Sequence, residues 1–385
     1  MKDKIKLVHI ISNLSLGGAQ VLLFDILHYL SKKNDLEIYV ITIDSGEYIE
    51  KFKKAGIKVF DLMEKGLVNP KIYFKMKKLL KYLNPDIVHT HLNKADFYGR
   101  IAAKKTGVKL IYSTCHNYST HHKGADVNKI SIFDYIDNFV VKYSGSYLIA
   151  ISEIVKKYLI NRDKRFDSIT DVIYNGVNIS KKNYQLEENE IDLLRIKYNV
   201  SKDDFLICLS GRFDKQKGHL FLLDALSEKI KERKNIKIIM PGDGILKKEV
   251  ENYISKNDLN EFVILPGFHK DIEKIIEISD LTIVPSLWEG FGLVVIESMV
   301  KKKVVLASDT GGIPEIIEHG ENGYLFKTLN KSDFLEKFNF IYSVNSNLPE
   351  IQTKALNTVE MRFDINKNSE FYYLSYLSKF QSISK

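Results

Sequence analysis

The chain has 385 residues, 44% of them hydrophobic, which is enough for two domains with separate packed cores. Its composition excludes a disordered, collagen-like or disulfide-stapled protein, and no apolar segment reaches the length of a membrane span. The net charge of +8 is concentrated in residues 1–176, which hold 28 Lys and Arg against 18 Asp and Glu. This basic half indicates an anionic partner, although a general abundance of lysine explains it equally well.

Alternating strands and helices are predicted through the first half of the chain. Continuous apolar runs indicate buried parallel strands, and apolar residues at helical spacing indicate helices between them. The predicted strands are Ile5–Ser12, Glu37–Ile43, Asp86–His91, Lys109–Cys115, Tyr147–Ile151 and Asp171–Tyr174, and the predicted helices include Ala19–Lys32, Pro70–Leu83 and Ala95–Lys104. Such repeated units predict an α/β domain with a doubly wound parallel sheet.

The same pattern restarts after residue 176. Strands are predicted over Phe205–Ser210, Ile236–Met240, Phe262–Leu265, Leu281–Pro285 and Val304–Ala307, with helices between them. We therefore expect two Rossmann-like domains, residues 1–176 and 177–364, with a hinge near Asn175–Ile179. A last helix over about 365–385 could return to the first domain.

Two features of the sequence favour the cytoplasm. Cys115 and Cys208 both lie inside apolar runs, as buried free thiols do in a reducing compartment. The apolar run that begins at Leu7 is too short for a signal peptide and is interrupted by His9. We expect a cytoplasmic protein, either soluble or peripheral to the inner face of the plasma membrane.

A glycine pair follows the first predicted strand. Gly17 and Gly18 lie within Asn13–Gln20, between that strand and the next helix. Ligands bind at this edge of open α/β sheets, glycine lets the backbone approach them, and a helix N-terminus favours anions. The motif predicts either a phosphate-binding turn or an ordinary tight turn that needs glycine.

Two cations bracket the equivalent turn of the second half. Arg212 and Lys217 lie within Ser210–Gly218, directly after the first predicted strand of that half. An arginine fork and a lysine point charge together suit a diphosphate. A solvated basic loop is the alternative explanation.

The most specific motif contains two glutamates, Glu289 and Glu297, around a glycine-rich turn. A helix is expected to begin near Gly292, where its free N–H groups would face a phosphate. Glu297 would lie roughly 7–8 Å further along the helix axis. Carboxylates on either side of an anion site can accept hydrogen bonds from sugar and ribose hydroxyls, which is the layout of a nucleotide sugar. The alternative is a favourable acid at a helix start and an unrelated surface acid.

The segment from Glu289 to Glu297 resembles the acid-x7-acid signature of the retaining glycosyltransferases of sequence family 4, which have the GT-B fold. The resemblance covers roughly residues 5–330, and no acceptor signature is found over Asn117–Asn128, where acceptor contacts would be expected. The other segments that resemble the family, in the same order, are Gly17–Gln20, Asp86–His91, Cys115–Asn117, Ile173–Val177, Arg212–Gly218, Pro241–Gly244, Pro266–Phe268 and Thr310–Glu315.

The resemblance implies a role for each matching residue. Arg212 and Lys217 would hold the diphosphate, Glu289 would bind sugar hydroxyls and Glu297 would bind the ribose. His116 would lie near the transferred sugar, although a lone histidine is more often structural. The residues given a catalytic role are Glu289, His116, Arg212 and Lys217. The further donor contacts implied are Gly17, Gly18 (closing over the diphosphate from the first domain), Gly242, Phe268, Phe291, Gly292 and Leu293.

The expected reaction needs neither a metal nor another cofactor. Metal-dependent transferases of the other common fold use an Asp-x-Asp site, and no two aspartates in this chain are two residues apart. Cations and a helix N-terminus would instead stabilise the departing nucleoside diphosphate. The resemblance implies a UDP-sugar donor, retention of configuration, and a part in cell-surface polysaccharide or glycoconjugate synthesis.

Three other functions fit parts of the pattern. An oxidoreductase with a dinucleotide cofactor is disfavoured, because Asn13–Gly18 lacks the Gly-x-Gly-x-x-Gly spacing. A non-catalytic nucleotide-sugar-binding protein would not need both carboxylates and both cations. A sugar-nucleotide epimerase of GT-B form is the remaining alternative.

The acceptor is expected to be a saccharide or a lipid-linked saccharide, and no nucleic-acid partner is expected. The predicted helix Pro70–Leu83 has an apolar stripe and a basic face. That face can attract anionic lipid, or it is an ordinary solvated surface. Its lysines are Lys71, Lys75, Lys77, Lys78 and Lys81, and the first four are the expected membrane contacts.

Overall fold

The apolar runs of the sequence form two parallel β-sheets with helices packed on them, as seen in a computed structural model. The structure describes residues 4–15, 17–66, 68–118, 130–180, 185–269 and 271–384. The chain divides into two compact units, residues 1–176 with 365–385, and residues 177–364. The predicted α/β class with two doubly wound sheets is confirmed.

The first unit contains a parallel sheet and six helices between its strands, among the described residues. In chain order these elements are β1 (Ile5–Asn13), α1 (Gly18–Leu30), β2 (Leu36–Asp44), α2 (Ile49–Lys54), β3 (Lys58–Asp61), α3 (Pro70–Leu83), β4 (Ile87–His91), α4 (Asn93–Lys105), β5 (Leu110–Cys115), α5 (Ile132–Ser144), β6 (Tyr147–Ala150), α6 (Glu153–Arg162) and β7 (Thr170–Val172). The strand order is β3-β2-β1-β4-β5-β6-β7, so the direction of winding reverses at β1 and β4.

Strand β1 shows why this sheet is buried on both faces. Leu7 and Ile11 pack into one apolar core with α1, whereas Val8 and Ile10 pack into another with α3 and α4. Successive residues of a strand point to opposite faces, so an uninterrupted apolar run supplies both cores. Burying each such side chain contributes about 1.5–3 kcal/mol.

The second unit repeats this plan. Its elements are α7 (Glu188–Lys197), β8 (Phe205–Cys208), α8 (His219–Arg233), β9 (Ile236–Ile239), α9 (Lys247–Lys256), β10 (Val263–Ile264), α10 (Ile272–Ile278), β11 (Leu281–Val284), α11 (Leu293–Val300), β12 (Val304–Ser308), β13 (Tyr324–Phe326), α12 (Lys331–Ser343) and α13 (Pro349–Arg362). The strand order is β10-β9-β8-β11-β12-β13, and the winding reverses at β8 and β11.

The last helix, α14 (Ile365–Ser384), belongs to the first unit and packs against α1. Its Tyr372 and Tyr376 are buried in the core that Leu7 and Ile11 share. The side chain of Asn368 donates hydrogen bonds to the carbonyl oxygens of residues 174 and 175, where the chain leaves this unit. In the described part of the chain, none of the helices is long and apolar enough to span a bilayer.

Two edge strands, β3 and β13, were missed by the sequence analysis. Both are short, and most of their residues are half-buried or exposed, so neither has a continuous apolar run. Tertiary pairing with β2 and β12 creates them. Strand propensity is weak evidence for such short segments.

Candidate functional site

Five loops meet at the carboxyl edge of the second unit's sheet. They follow β8, β9, β10, β11 and β12, and because the strands are parallel, all five leave the sheet at the same edge. Ligands of open α/β sheets bind where the strand order reverses, which here is between β8 and β11. The loops that follow these two strands carry Arg212, Lys217 and Glu289.

Lys217 and Glu289 form an ion pair across this reversal point. The distance from Lys217 Nζ to Glu289 Oε2 is 2.6 Å, and the two side chains are 22% and 13% exposed. Ser286 Oγ lies 3.3 Å from Glu289 Oε2, and Gln216 Nε2 lies 3.5 Å from Glu289 Oε1. Glu289 is thus fixed from two loops, and the sequence analysis did not identify Ser286 and Gln216 as its partners.

Glycines bring the neighbouring loops against the loop that carries Glu289. A Cβ atom on Gly218 would lie 2.0 Å from the carbonyl oxygen of Pro285, and one on Gly311 would lie 1.9 Å from that of Glu289. The backbone N–H of Gly312 donates to the same Glu289 oxygen at 2.9 Å. These approaches are possible only without side chains, so they fix the backbone beneath the Glu289 carboxylate.

Helix α11 begins directly after this loop. Gly292 is its N-cap, with φ +114°, and no side-chain hydrogen bond caps the helix among the described residues. The first N–H groups of such a helix, with the helix dipole, form an anion site. Leu293 is the first helical residue, whereas the Phe291 ring is buried 5.4 Å from the Phe363 ring, so only the backbone of Phe291 can meet a ligand.

Glu297 lies half-buried on α11. Burial, and after it the negative charge of Glu297, raise the pKa of the Cys208 thiol to about 12. Cys208 is the last residue of β8. The two predicted acids therefore occupy different surroundings in the same unit.

The structure does not bring Arg212 into the Lys217–Glu289 pair. Its side chain is 72% exposed, and its Nε lies 2.5 Å from Asp214 Oδ2. Each of the two predicted cations is thus paired with its own carboxylate. The other two guanidinium nitrogens of Arg212 carry further N–H donors, with which this exposed side chain can bind another anion.

Gly242 and Phe268 lie on the next two loops of this edge. A Cβ atom on Gly242 would approach the carbonyl oxygen of Gly211 to 2.0 Å, and the Gly242 N–H donates to Gly267 O at 2.9 Å. Gly242 therefore holds three loops together through the backbone. The Phe268 side chain is 52% exposed, which leaves its ring free to cover a ligand.

In the first unit, Gly17 and Gly18 lie between β1 and α1. Gly17 is the N-cap of α1, and Gly18 is its first residue. A Cβ atom on Gly17 would lie 2.7 Å from the side-chain oxygen of Gln20, whose Nε2 donates to Asn13 Oδ1 at 3.0 Å. The glycine therefore makes room for a glutamine that fixes the turn.

His116 follows β5 and is joined to a cluster of buried histidines. Its Nε2 lies 3.3 Å from His91 Nδ1, and His91 Nε2 lies 2.9 Å from His9 Nδ1. His89 Nδ1 lies 2.5 Å from Tyr376 OH, and its Nε2 lies 2.8 Å from Thr114 Oγ1. Of these histidines, His116 alone was predicted from the sequence as a site residue, although the alternate positions of the histidines on β4 could have revealed the cluster.

The nitrogens of His9, His89 and His91 lie within 4.8 Å of one another, which is close enough to consider a metal. His89, however, has both ring nitrogens in hydrogen bonds, and His9 and His91 are bonded to each other. A metal would have to break these buried bonds. The donor set fits a hydrogen-bond network better than a metal site.

Two family descriptions match the chain. "Glycosyltransferase Family 4" matches residues 16–181, and "Glycosyl transferases group 1" matches residues 190–356. Together they cover both units.

Individual proteins are similar along most of the chain. An uncharacterized glycosyltransferase of Methanocaldococcus jannaschii is 30% identical over 80% of this chain and 80% of its own. The UDP-Gal:alpha-D-GlcNAc-diphosphoundecaprenol alpha-1,3-galactosyltransferase of Escherichia coli is 26% identical over 86% of this chain and 87% of its own. The structure of HepE from Anabaena, solved in complex with UDP and glucose, superposes with a TM-score of 0.84 at 22% identity, over 97% of this chain and 100% of its own.

Proposed function

Since the chain belongs to the family 4 glycosyltransferases and has their GT-B fold, we propose that it transfers a hexose from a UDP-sugar to a saccharide acceptor, with retention of configuration. The observation that carries the proposal is the Lys217–Glu289 pair, fixed at the reversal point of the sheet beside the N-terminus of α11. A cation and a carboxylate in contact suit a ligand that joins a phosphate to a hydroxyl-rich sugar.

Each part of the donor then has a partner of suitable chemistry. Lys217 and the N–H groups of Gly292 and Leu293 would stabilise the charge that grows on the departing diphosphate. Glu289 would accept hydrogen bonds from the sugar, and Glu297 would accept them from the ribose. Arg212 would turn from Asp214 towards the diphosphate when the donor binds.

We further propose that the reaction needs no metal. The fixed positive charges named above can supply the stabilisation that a divalent cation gives elsewhere. The chain also lacks an Asp-x-Asp sequence. His116, which is half-buried at the end of β5, would contact the transferred sugar.

One relative supports the choice of donor and acceptor. The Escherichia coli relative is described as acting with UDP-Gal on a saccharide attached to diphosphoundecaprenol. We propose the same classes here, a UDP-sugar and a lipid-linked saccharide, in the synthesis of a cell-surface polysaccharide.

A lipid-linked acceptor would require the first unit to approach a membrane, and helix α5 has a surface suited to this. Its buried side carries Val140 and Val141 but also polar residues, since Asp134 accepts from Tyr158 OH at 2.7 Å and Asn138 accepts from Arg162 Nε at 2.9 Å. Its outward side carries large apolar side chains, where an ordinary surface helix has polar ones. The exposed apolar residues are Ile132, Phe133, Tyr135, Ile136, Phe139 and Tyr143.

Basic residues lie on the same face of this unit, one helix away from the apolar surface of α5. Helix α4 packs against both α3 and α5, so the three helices cover one face of the sheet. Lys71 and Lys78 on α3 are exposed, and Lys77 lies 5.8 Å from the Tyr73 ring centre. Lys75, by contrast, is held by Glu64 at 2.7 Å. Apolar side chains flanked by lysines suit the headgroup region of an anionic membrane.

Calorimetry with UDP and UDP-sugars in excess chelator tests the donor and the metal independence together. We expect binding that chelator does not abolish, and slow hydrolysis of one UDP-sugar that a lipid-linked saccharide accelerates. Binding that requires a divalent cation would contradict the metal-free mechanism. Absence of both hydrolysis and transfer with a broad panel of nucleotide sugars would contradict the enzymatic proposal.

A further inference from the structure

The buried histidines of the first unit lie on one face of the sheet because of strand register. His9 on β1 is paired with His89 on β4, and His91 is two residues further along β4. Thr114 on β5 is paired with His91, and His116 is two residues beyond Thr114. Alternate residues share a face, so these side chains point the same way, and α14 covers them with Tyr372 and Tyr376.

Three of these histidines form a continuous chain of hydrogen bonds. It runs from His116 Nε2 to His91 Nδ1 at 3.3 Å, and from His91 Nε2 to His9 Nδ1 at 2.9 Å. His9 and His91 are 1% and 2% exposed, whereas His116 is half-buried at the open end. The chain therefore joins the surface to the centre of the core.

Burial keeps these imidazoles neutral at physiological pH. It lowers the pKa of His9 to about 3 and that of His116 to about 4, and it holds the pKa of His91 well below its ordinary value. A neutral imidazole has one N–H and one acceptor nitrogen. Both hydrogen bonds must therefore run in the same direction along the chain.

The buried end of the chain decides which direction is favoured. His9 Nε2 has no partner among the described residues. If the protons were on the Nε2 atoms, this nitrogen would be a buried N–H without an acceptor, which is rare and destabilising. If they are on the Nδ1 atoms, His9 donates to His91, His91 donates to His116, and only a bare lone pair is left in the core.

We propose that His9 and His91 are positioning residues that fix His116 as its Nδ1–H tautomer, so that His116 offers an N–H to a sugar or acceptor oxygen. The proposal rests on the proposed function, in which His116 contacts the transferred sugar. The tautomer of His116 is thus set through His91 by His9, which lies in the centre of the sheet. His116 donates this hydrogen bond while it stays neutral.

Side-chain nitrogen NMR of the full-length wild-type protein, with 15N-labelled histidine, tests the tautomer directly. We expect a protonated Nδ1 and an unprotonated Nε2 for His116, assigned with the His116→Gln variant. A proton on Nε2 of His116 would overturn the proposal. This measurement needs no activity, so it is distinct from a failure of the glycosyltransferase function, which would appear as absence of transfer by the wild type.

Paired variants separate positioning from packing. His91→Leu removes the donor to His116, whereas His91→Asn keeps an N–H at the position of Nδ1. We expect His91→Leu to lower kcat about 10- to 100-fold, with little change in KM. This is the range found for metal-bound histidines when the hydrogen-bond partner that orients the ring is removed, and His91 has the same orienting role here without a metal. His91→Asn should restore most of kcat.

His89→Leu is the matched control, because His89 is equally buried in the same cluster but bonds Tyr376 and Thr114 instead of His116. We expect it to lower the melting temperature without the same loss of kcat. Equal losses of kcat in His89→Leu and His91→Leu, or an unchanged His116 tautomer in His91→Leu, would refute the positioning role.

Discussion

The carboxylate of Glu289 has two effects at the proposed donor site. It would bind sugar hydroxyls, but it also holds Lys217 at 2.6 Å in a partly buried pair. UDP carries the diphosphate without the sugar, so for UDP the carboxylate is only a competitor and a source of repulsion. We expect Glu289→Gln to tighten UDP binding a few-fold, as the loss of an opposing pair worth about 0.2–1 kcal/mol implies. Calorimetry measures this change.

The same variant should lower transfer by about 10²–10³-fold, because a hydrogen-bonding group at the reacting sugar is weakened. Glu321→Gln is the control, since Glu321 is an exposed partner of Lys354 in the same unit.

Glu297→Ala should instead weaken the binding of UDP, because the variant loses the proposed hydrogen bonds to the ribose. Similar losses of UDP affinity in the variants at Glu289 and Glu297 would contradict these separate roles.

Lys217 should matter more to the transition state than to the fold. Its charge meets a diphosphate whose negative charge grows as the glycosidic bond breaks. We expect Lys217→Ala to lower kcat by about 10²–10³-fold while the melting temperature changes little. Lys354→Ala, at an exposed lysine of the same unit, is the comparison. Near-normal turnover of Lys217→Ala would remove this residue from the site.

Among the elements, the loop after β12 supports the one that carries Glu289. Gly311 has φ +58°, and its missing side chain admits the Glu289 carbonyl, whereas Gly320 has φ +79° with open space around it. An L-residue in this region costs about 1–2 kcal/mol in either place. Besides this cost, Gly311→Ala should displace the loop that carries Glu289, so this variant should lose both stability and transfer activity. Gly320→Ala should lose stability alone, as thermal melting and turnover would show.

The sequence predicted those helices and strands in which the pattern of apolar residues matches the pattern of buried ones. The apolar runs of β1 and β11 are buried on both faces, and the glycines before α11 mark its start, so these were found within about two residues. The outward apolar face of α5 was not found, because inward polar residues of this helix are satisfied by partners distant in sequence, as Asp134 and Asn138 are by Tyr158 and Arg162 of α6. Pairing between distant segments is absent from a local pattern.

The same limit applies to the candidate site. Lys217 and Glu289 could be selected from their places after two strands, since parallel strands bring those loops to one edge. That they form an ion pair, and that Arg212 binds Asp214 instead, depends on side-chain positions that spacing does not determine. The chain of histidines likewise depends on the register between β1, β4 and β5.

At the scale of the whole molecule, the distribution of charge and apolar surface separates the two units. The basic excess of the chain lies in residues 1–176. Among the described residues, six of the exposed large hydrophobic side chains lie on α5 of that unit. A solvated lysine face alone would not explain why apolar side chains accompany it. Their combination supports the proposal that this unit meets anionic lipid.

Co-sedimentation with vesicles tests this division between the units. We expect the wild type to bind phosphatidylglycerol vesicles and not phosphatidylcholine vesicles, because each lysine near an anionic surface contributes about 1 kcal/mol. Replacing Lys71, Lys77 and Lys78 by Glu should abolish binding, whereas Ile136→Ser with Phe139→Ser should leave a weaker, salt-sensitive association. Lys75 is kept, since Glu64 already neutralises it.

The charge-matched control replaces Lys231, Lys248 and Lys256 of the second unit, which are also exposed. An equal loss of vesicle binding in the control variant would mean that net charge alone explains the effect. Failure of the wild type to bind anionic vesicles at low salt would refute membrane docking.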